Sequence, residues 1–284
     1  MKNRFHLAFI EKKGRIGMAA EIGFIGMGNM GYAMLKGALL VFDKMDIIYT
    51  DVDRQRVRDV FEETGVRFME SNAECANGAK ILVLAVKPQY YESVLKNIKH
   101  IVTERHIIIS IAPGITIEYL KKALGYDKRI VRAMPNTPAL IGEGMTGISY
   151  DEKLFTKEEI RKIHEFFHSF GKAKVVEESL MNAVVCASGS SPAYVYMFIE
   201  ALADSAVKYG LSRKDAYEFV AQTVLGSAQM ILETGKHPGE LKDMVCSPGG
   251  TTIAAVSALE EAGFRSAVIK AADACFEKCS GLKA

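Results

Sequence analysis

EIGFIGMGNMGYAMLKGALL, residues 21–40, reads as a short strand, a glycine cluster and a helix, because the spacing of its apolar residues changes across the glycines. Gly26, Gly28 and Gly31 stand at the G-x-G-x-x-G spacing, and Asp51 follows twenty residues after Gly31. Each glycine has a task in such a turn. The first permits the tight bend, the second lets the backbone approach a pyrophosphate, and the third lets helix and strand pack closely. The helix N-terminus then presents unpaired amides and the positive end of its dipole to the phosphates. Strand, spacing and acid together predict a dinucleotide-binding loop; three glycines alone would predict only a turn.

Outward from this unit the pattern alternates. DIIYTD (46–51) reads as a strand, DRQRVRDVFEETG as a helix stopped at Gly65, and KILVLAVKP (80–88) as a buried strand halted by Pro88. HIIISIAPG (106–114), a helix at Ile117–Leu124 and RIVRAMP (129–135) continue the order, which is that of a parallel sheet flanked by helices. MTGISY (145–150) and AKVVE (173–177) are further strands, bracketing TKEEIRKIHEFFHSFG, a helix that Thr156 and Glu159 start at the capping-box spacing. Near residue 178 the strand signals stop and long helical patterns take over, several ending at glycines suited to C-caps. The helix opened by Pro192 is apolar around most of its circumference, which predicts burial on more than one side and a core completed by a second copy. The expected division is therefore an extension at 1–17, a dinucleotide-binding domain at 18–177 and an all-helical domain at 178–284.

Of the 284 residues, 36 are Lys or Arg and 34 Asp or Glu, a balance that points to neither nucleic acid nor an acidic membrane as partner. Cys75, Cys186, Cys246, Cys275 and Cys279 form no CxxC pair, so no metal site is expected and the thiols read as those of a reduced, cytoplasmic protein. No apolar run is long enough to span a bilayer. Residues 1–17 are basic and interrupted by Glu11 to Gly14, unlike a secretory signal, and Met18 is a candidate start.

Further motifs fall at strand ends. Lys87-Pro88 and Ala112-Pro113-Gly114 lie at the carboxyl edge where open α/β sheets bind ligands, so both loops are expected to line the dinucleotide. MPNTPAL (134–140) brackets Asn136 and Thr137 with prolines on the same edge, a rigid loop fit to touch substrate or nicotinamide. Far downstream, Ser247-Pro248-Gly249-Gly250-Thr251-Thr252 within HPGELKDMVCSPGGTTIAAV (237–256) immediately precedes a helix. Free amides, small residues and hydroxyls converge there at a positive helix end, which suits a carboxylate. An ordinary capped loop would account for one hydroxyl and one glycine. Near the first turn after Asp51, Arg54 and Arg56 are within reach of a 2′-phosphate, though charged first turns are common and a solvated helix face is the favoured reading.

SPGGTT in its setting, with FIGMGNMG, LAVKP, RAMPNTPA and SGSSPAYVYMFIEALADSA in that order, resembles the pyrroline-5-carboxylate reductases from about Ile22 to the C-terminus. The resemblance implies a Rossmann-like N-terminal domain and an all-α dimerisation domain of the 6-phosphogluconate dehydrogenase C-terminal-like type. It implies reduction of a cyclic imine to proline with NADPH or NADH, in a homodimer assembled into a larger homo-oligomer such as a decamer. Position by position, it sets Gly26, Met27, Gly28, Asn29, Met30, Gly31, Asn72, Ala85, Val86, Lys87, Pro88 and Ala112 on the cofactor. It sets Met134, Pro135 and Asn136 near nicotinamide. Ser247, Gly249, Gly250, Thr251 and Thr252 hold the substrate carboxylate, and Thr252 lies beside the ring nitrogen. Asp51 would grip the ribose hydroxyls of NAD(H), which leaves the choice of cofactor open.

Two other readings stand beside this one. A β-hydroxyacid dehydrogenase would place a catalytic lysine on the helix after the domain change, but no Lys occurs from SGSSPAY to Lys208. A non-enzymatic redox sensor would have no use for the carboxylate loop. His164, His168 and His237 read as structural or solvated.

Overall fold

The computed structural model describes residues 20–281; the expected extension at 1–17 and the candidate start Met18 lie outside the described residues. Eight strands form one sheet in the order β3-β2-β1-β4-β5-β6-β7-β8. They are β1 (Ala20–Ile25), β2 (Ile47–Thr50), β3 (Arg67–Phe68), β4 (Ala79–Leu84), β5 (Ile107–Ser110), β6 (Arg129–Met134), β7 (Gly144–Ser149) and β8 (Gly171–Val175). β1 to β6 run parallel to one another, β7 pairs with β6 antiparallel, and β8 follows β7 in parallel.

Side-chain alternation divides the apolar strands between two cores. Ile22, Phe24, Ile81, Val83, Ile109 and Val131 bury one face against α1 (Asn29–Ala38) and against Phe166, Phe167 and Phe170 at the end of α6 (Lys157–His168). Ile48, Leu82, Leu84, Ile108 and Ile130 bury the other face. That face packs on α3 (Asn72–Gly78), α4 (Tyr91–Ile98) and α5 (Ile117–Leu124). The remaining helix of this part, α2 (Arg54–Thr64), packs through Val57 and Val60. The capping box on α6 forms as read: Thr156 accepts the Glu159 amide and Glu159 accepts the Thr156 amide. β8 begins at Gly171, two residues ahead of its expected start, where the Gly144 amide already bonds the Phe170 carbonyl.

After β8 the chain is helical: α7 (Met181–Val184), a π turn at Val185–Gly189, α8 (Ser191–Lys208), α9 (Arg213–Thr234), α10 (Pro238–Val245), α11 (Thr251–Glu261) and α12 (Phe264–Gly281). α10 was not expected; its first turn is capped by the His237 ring, which accepts the Gly239 amide. Contacts divide the chain into two compact units. One holds the described residues to Gly189 with those from Phe276, and the other is Ser190–Cys275. The contact division thus falls later than the change of pattern at residue 178. Within the second unit little is buried apart from Ala203, Ala216 and Val220, whereas Tyr196, Met197, Phe198 and Leu202 on α8 are exposed. Among the described residues no helix is long and apolar enough to cross a membrane, and no group of three or more His, Cys, Asp or Glu is placed to hold a metal ion.

Candidate functional site

Because β1, β2, β4, β5 and β6 run in one direction, the segments that follow them emerge on one edge of the sheet. Those segments are the glycine loop, Asp51, Ala85–Pro88, Ala112 and Met134–Asn136; Asn72 opens α3 beyond β3 on the same edge. The glycine loop is fixed first. Gly26 has φ 100° and its amide donates to the Thr50 carbonyl at 2.9 Å. A Cβ at Gly31 would come within 2.3 Å of the Gly26 carbonyl oxygen, so only glycine lets α1 start so close to β1. A Cβ at Gly28 would meet nothing within 4 Å, leaving that backbone open to a ligand.

The loop is braced from the segment after β2. Asp51 Oδ2 accepts the Met27 amide at 2.5 Å and its Oδ1 accepts the Asp53 amide at 2.8 Å. Arg56 Nε donates to the Met27 carbonyl at 2.7 Å, and its guanidinium lies 4.5 Å from the centre of the Tyr32 ring. Burial and a hydrogen bond with Glu63 push the Tyr32 phenol up to about 12 against the opposing pull of Arg56, so the ring is neutral. The favoured reading of a solvated face therefore holds for Arg54, which is exposed and pairs with Glu70, and not for Arg56. Nothing in the local pattern signals the role of Arg56, because its partner lies 29 residues away.

The other edge segments have distinct surroundings. Ala85 sits beneath the glycine turn, its amide bonded to Ile25, while Lys87 is exposed at the start of a 3₁₀ turn, Pro88–Tyr90. Ala112 and Pro135 are buried. Asn136 is 8% exposed; its Oδ1 accepts the Met145 amide at 2.9 Å and its Nδ2 donates to the Ser188 carbonyl at 3.0 Å. Its side chain thus ties the proline-rich loop to β7 and to the π turn. That role follows from tertiary contacts of Asn136 and is silent in the sequence.

In the second unit, Gly250 takes the N-cap position of α11 without any side-chain cap, and its amide closes a turn on the Ser247 carbonyl at 3.0 Å. The amides of Thr251, Thr252 and Ile253 begin the helix and have no intrahelical partner. Among the described residues the hydroxyls of Ser247, Thr251 and Thr252 likewise have no hydrogen-bond partner. Ser247, Gly249 and Thr251 are exposed, and Gly250 and Thr252 are half-buried. α1 starts in the same manner, on Gly28 without a side-chain cap. By contrast, α2, α3, α5, α6 and α9 start on Asp53, Ser71, Thr116, Thr156 and Ser212, each capping with its side chain. Extended glycine caps thus occur at the two helix starts expected to meet anions.

Residues 21–114 match the family model described as NADP oxidoreductase, coenzyme F420-dependent, and residues 178–282 match pyrroline-5-carboxylate reductase dimerisation. Fold and site thus define an oxidoreductase with a Rossmann-like nicotinamide domain and a helical dimerisation domain. The chain is 48% identical to the pyrroline-5-carboxylate reductase of Escherichia coli, over 93% of this chain and 99% of that one. A pyrroline-5-carboxylate reductase structure from Coxiella burnetii superposes with a TM-score of 0.84 at 34% identity, covering 94% of this chain and 99% of that one. The Plasmodium falciparum enzyme with NADP bound gives 0.83 at 35% identity, covering 93% and 98%. The chain belongs to the pyrroline-5-carboxylate reductase family.

Proposed function

We propose that the chain reduces 1-pyrroline-5-carboxylate to L-proline with NADPH or NADH, the last step of proline synthesis. The observation that carries this reading is the 247–252 loop, where three amides and three hydroxyls without partners among the described residues meet a glycine cap at one helix start. Family membership and the NADP held by the Plasmodium falciparum relative support it.

The residues present fit a dinucleotide: Gly28 leaves space, and the amides that begin α1 are unpaired by any cap. In our assignment Gly26, Met27, Gly28, Asn29, Met30 and Gly31 hold the pyrophosphate, with Asp51, Arg56 and Asn72 at the ribose end. Ala85, Val86, Lys87, Pro88 and Ala112 line the path to nicotinamide, and Met134, Pro135 and Asn136 flank it. When bound, the reduced nicotinamide supplies a hydride. The imine carbon accepts that hydride far more readily when its nitrogen is protonated, so the substrate brings much of its own activation. The main tasks left to the chain are alignment and orientation, which are worth roughly 7–11 kcal/mol. Ser247, Gly249, Gly250, Thr251 and Thr252 hold the carboxylate and so fix the ring. The Thr252 hydroxyl both donates and accepts, which suits it to hydrogen-bond the ring nitrogen and orient its proton.

We assign residues 18–177 to the dinucleotide domain and 178–284 to substrate binding and dimerisation. A homodimer, built into a larger ring such as a decamer and working in the cytoplasm, is the form we propose. An apolar cavity of about 590 Å³ beside Met197, Phe198 and Leu202 supports a partner on that face. The test is oxidation of NADH and of NADPH, followed separately with racemic 1-pyrroline-5-carboxylate, with proline identified as product. Folded, cofactor-binding protein that oxidises neither would refute the assignment.

A further inference from the structure

Arg132 lies within β6, on the face it shares with Ile130, and only 6% of it is exposed. Its Nη1 donates to Glu178 Oε1 at 3.1 Å, and the same oxygen accepts the Ile117 amide, at the start of α5, at 2.7 Å. Among the described residues, Nε and Nη2 of the guanidinium and Oε2 of the carboxylate have no partner. Although the residue as a whole is buried, these atoms are not among the fully buried polar atoms left without a partner, so they reach open space where a ligand could bond them.

Both residues border the same space. Arg132 and Glu178 line an open cavity of about 390 Å³, rimmed by Gly114, Thr116, Asn182 and Ser280. That volume falls within the range of small-molecule pockets, roughly 300–1,000 Å³. None of the residues assigned above to the dinucleotide or to the imine lines it. Asn182 Nδ2 reaches Ser280 Oγ at 3.4 Å across the mouth, and Ser179 and Ser280 are exposed, so the cavity opens to solvent.

We propose that this cavity is a second binding site, selective for a zwitterionic α-amino acid. The ligand carboxylate takes the open edge of the Arg132 fork, the geometry in which guanidinium and carboxylate pair through two bonds. The ammonium takes Glu178 Oε2. A simple anion would answer Arg132 but would face the Glu178 carboxylate, and a simple cation would meet the reverse conflict. Only a ligand carrying both charges satisfies both groups and leaves the site neutral. Once bound, it joins β6 and the start of α5 to the segment that leads from β8 into α7.

Equilibrium dialysis of labelled L-alanine and L-proline against the full-length protein tests this, with acetate and methylammonium as single-charge probes. Glu178→Gln keeps an acceptor for the Ile117 amide and removes the charge, and Ser280→Trp blocks the mouth from an exposed position. Wild type is expected to bind L-alanine at one site per chain and L-proline at one site more than Ser280→Trp does. Each substitution is expected to weaken L-alanine at least tenfold while leaving kcat/KM for the imine unchanged. Equal binding of L-alanine by wild type and both variants overturns the site, as does its absence from wild type. Acetate bound by wild type as tightly as L-alanine overturns the zwitterion and leaves an anion site. Reductase activity is read separately, so its absence would not remove amino-acid binding at Arg132.

Discussion

Thr252, at the second position of a helix, carries a hydroxyl with no partner among the described residues, where a packed or capping residue would have found one. Replacement by Ala is expected to lower kcat tenfold or more, about 1.4 kcal/mol of barrier, while circular dichroism and melting temperature stay put. Wild-type kcat with unchanged KM would remove Thr252 from the mechanism. Arg56→Ala is expected to raise KM for NADPH and NADH alike, because the guanidinium braces the glycine loop through the Met27 carbonyl. A change confined to NADPH would mean that Arg56 reads a phosphate and does not act as a brace. The two residues differ in how well the sequence announces them. Thr252 sits in a run of small and hydroxyl residues whose composition is itself the signal. Arg56 looks like any charged first-turn residue until the fold sets it under Tyr32.

At the level of elements, His106 shows how a single turn sets a pH dependence. Its Nδ1 accepts the Thr103 amide at 2.9 Å and its Nε2 donates to the Ala76 carbonyl at 3.0 Å, which defines the neutral ring. Burial, with the nearby Arg105 charge adding to it, holds the imidazole below its usual range. The unfolded chain therefore takes up the proton first as pH falls. The stabilisation is complete above about pH 6.5, the unfolded value, and is lost as pH drops from there through the lower folded value. Urea midpoints are expected to fall more steeply between pH 7 and pH 5 in wild type than in His106→Gln; parallel curves would refute this. Most strands and the long helices were legible because periodicity and capping chemistry are local, as Thr156 and Glu159 illustrate, whereas β3, α3 and α4 were not. The reversal at β7 and the short helix α10 were not: strand direction depends on which neighbour a strand pairs with, and His237 caps through geometry a Pro-Gly pair conceals.

For the molecule as a whole, the change of pattern near residue 178 announced two modules, and the apolar girth of α8 announced a surface in need of a partner. The contact division at Gly189 was hidden, because a π turn continues helical composition across it. Leu202 is 43% exposed beside the large apolar cavity, so Leu202→Glu is expected to yield monomers by sedimentation and to abolish turnover. An intact oligomer with full activity would contradict that. The glycine starts of α1 and α11 also govern how long the empty protein keeps its first turns closed. No side chain holds those amides, so they are expected to exchange with deuterated solvent early, ahead of the turns begun by Asp53, Thr116 or Thr156. Ligands then complete what the chain omits, and at a hundredfold excess over Kd each adds about 2.7 kcal/mol to the stability of the folded state. Slowed exchange at Asn29–Gly31 with dinucleotide, and at Thr251–Ile253 with proline, would locate each ligand by the hydrogens it protects.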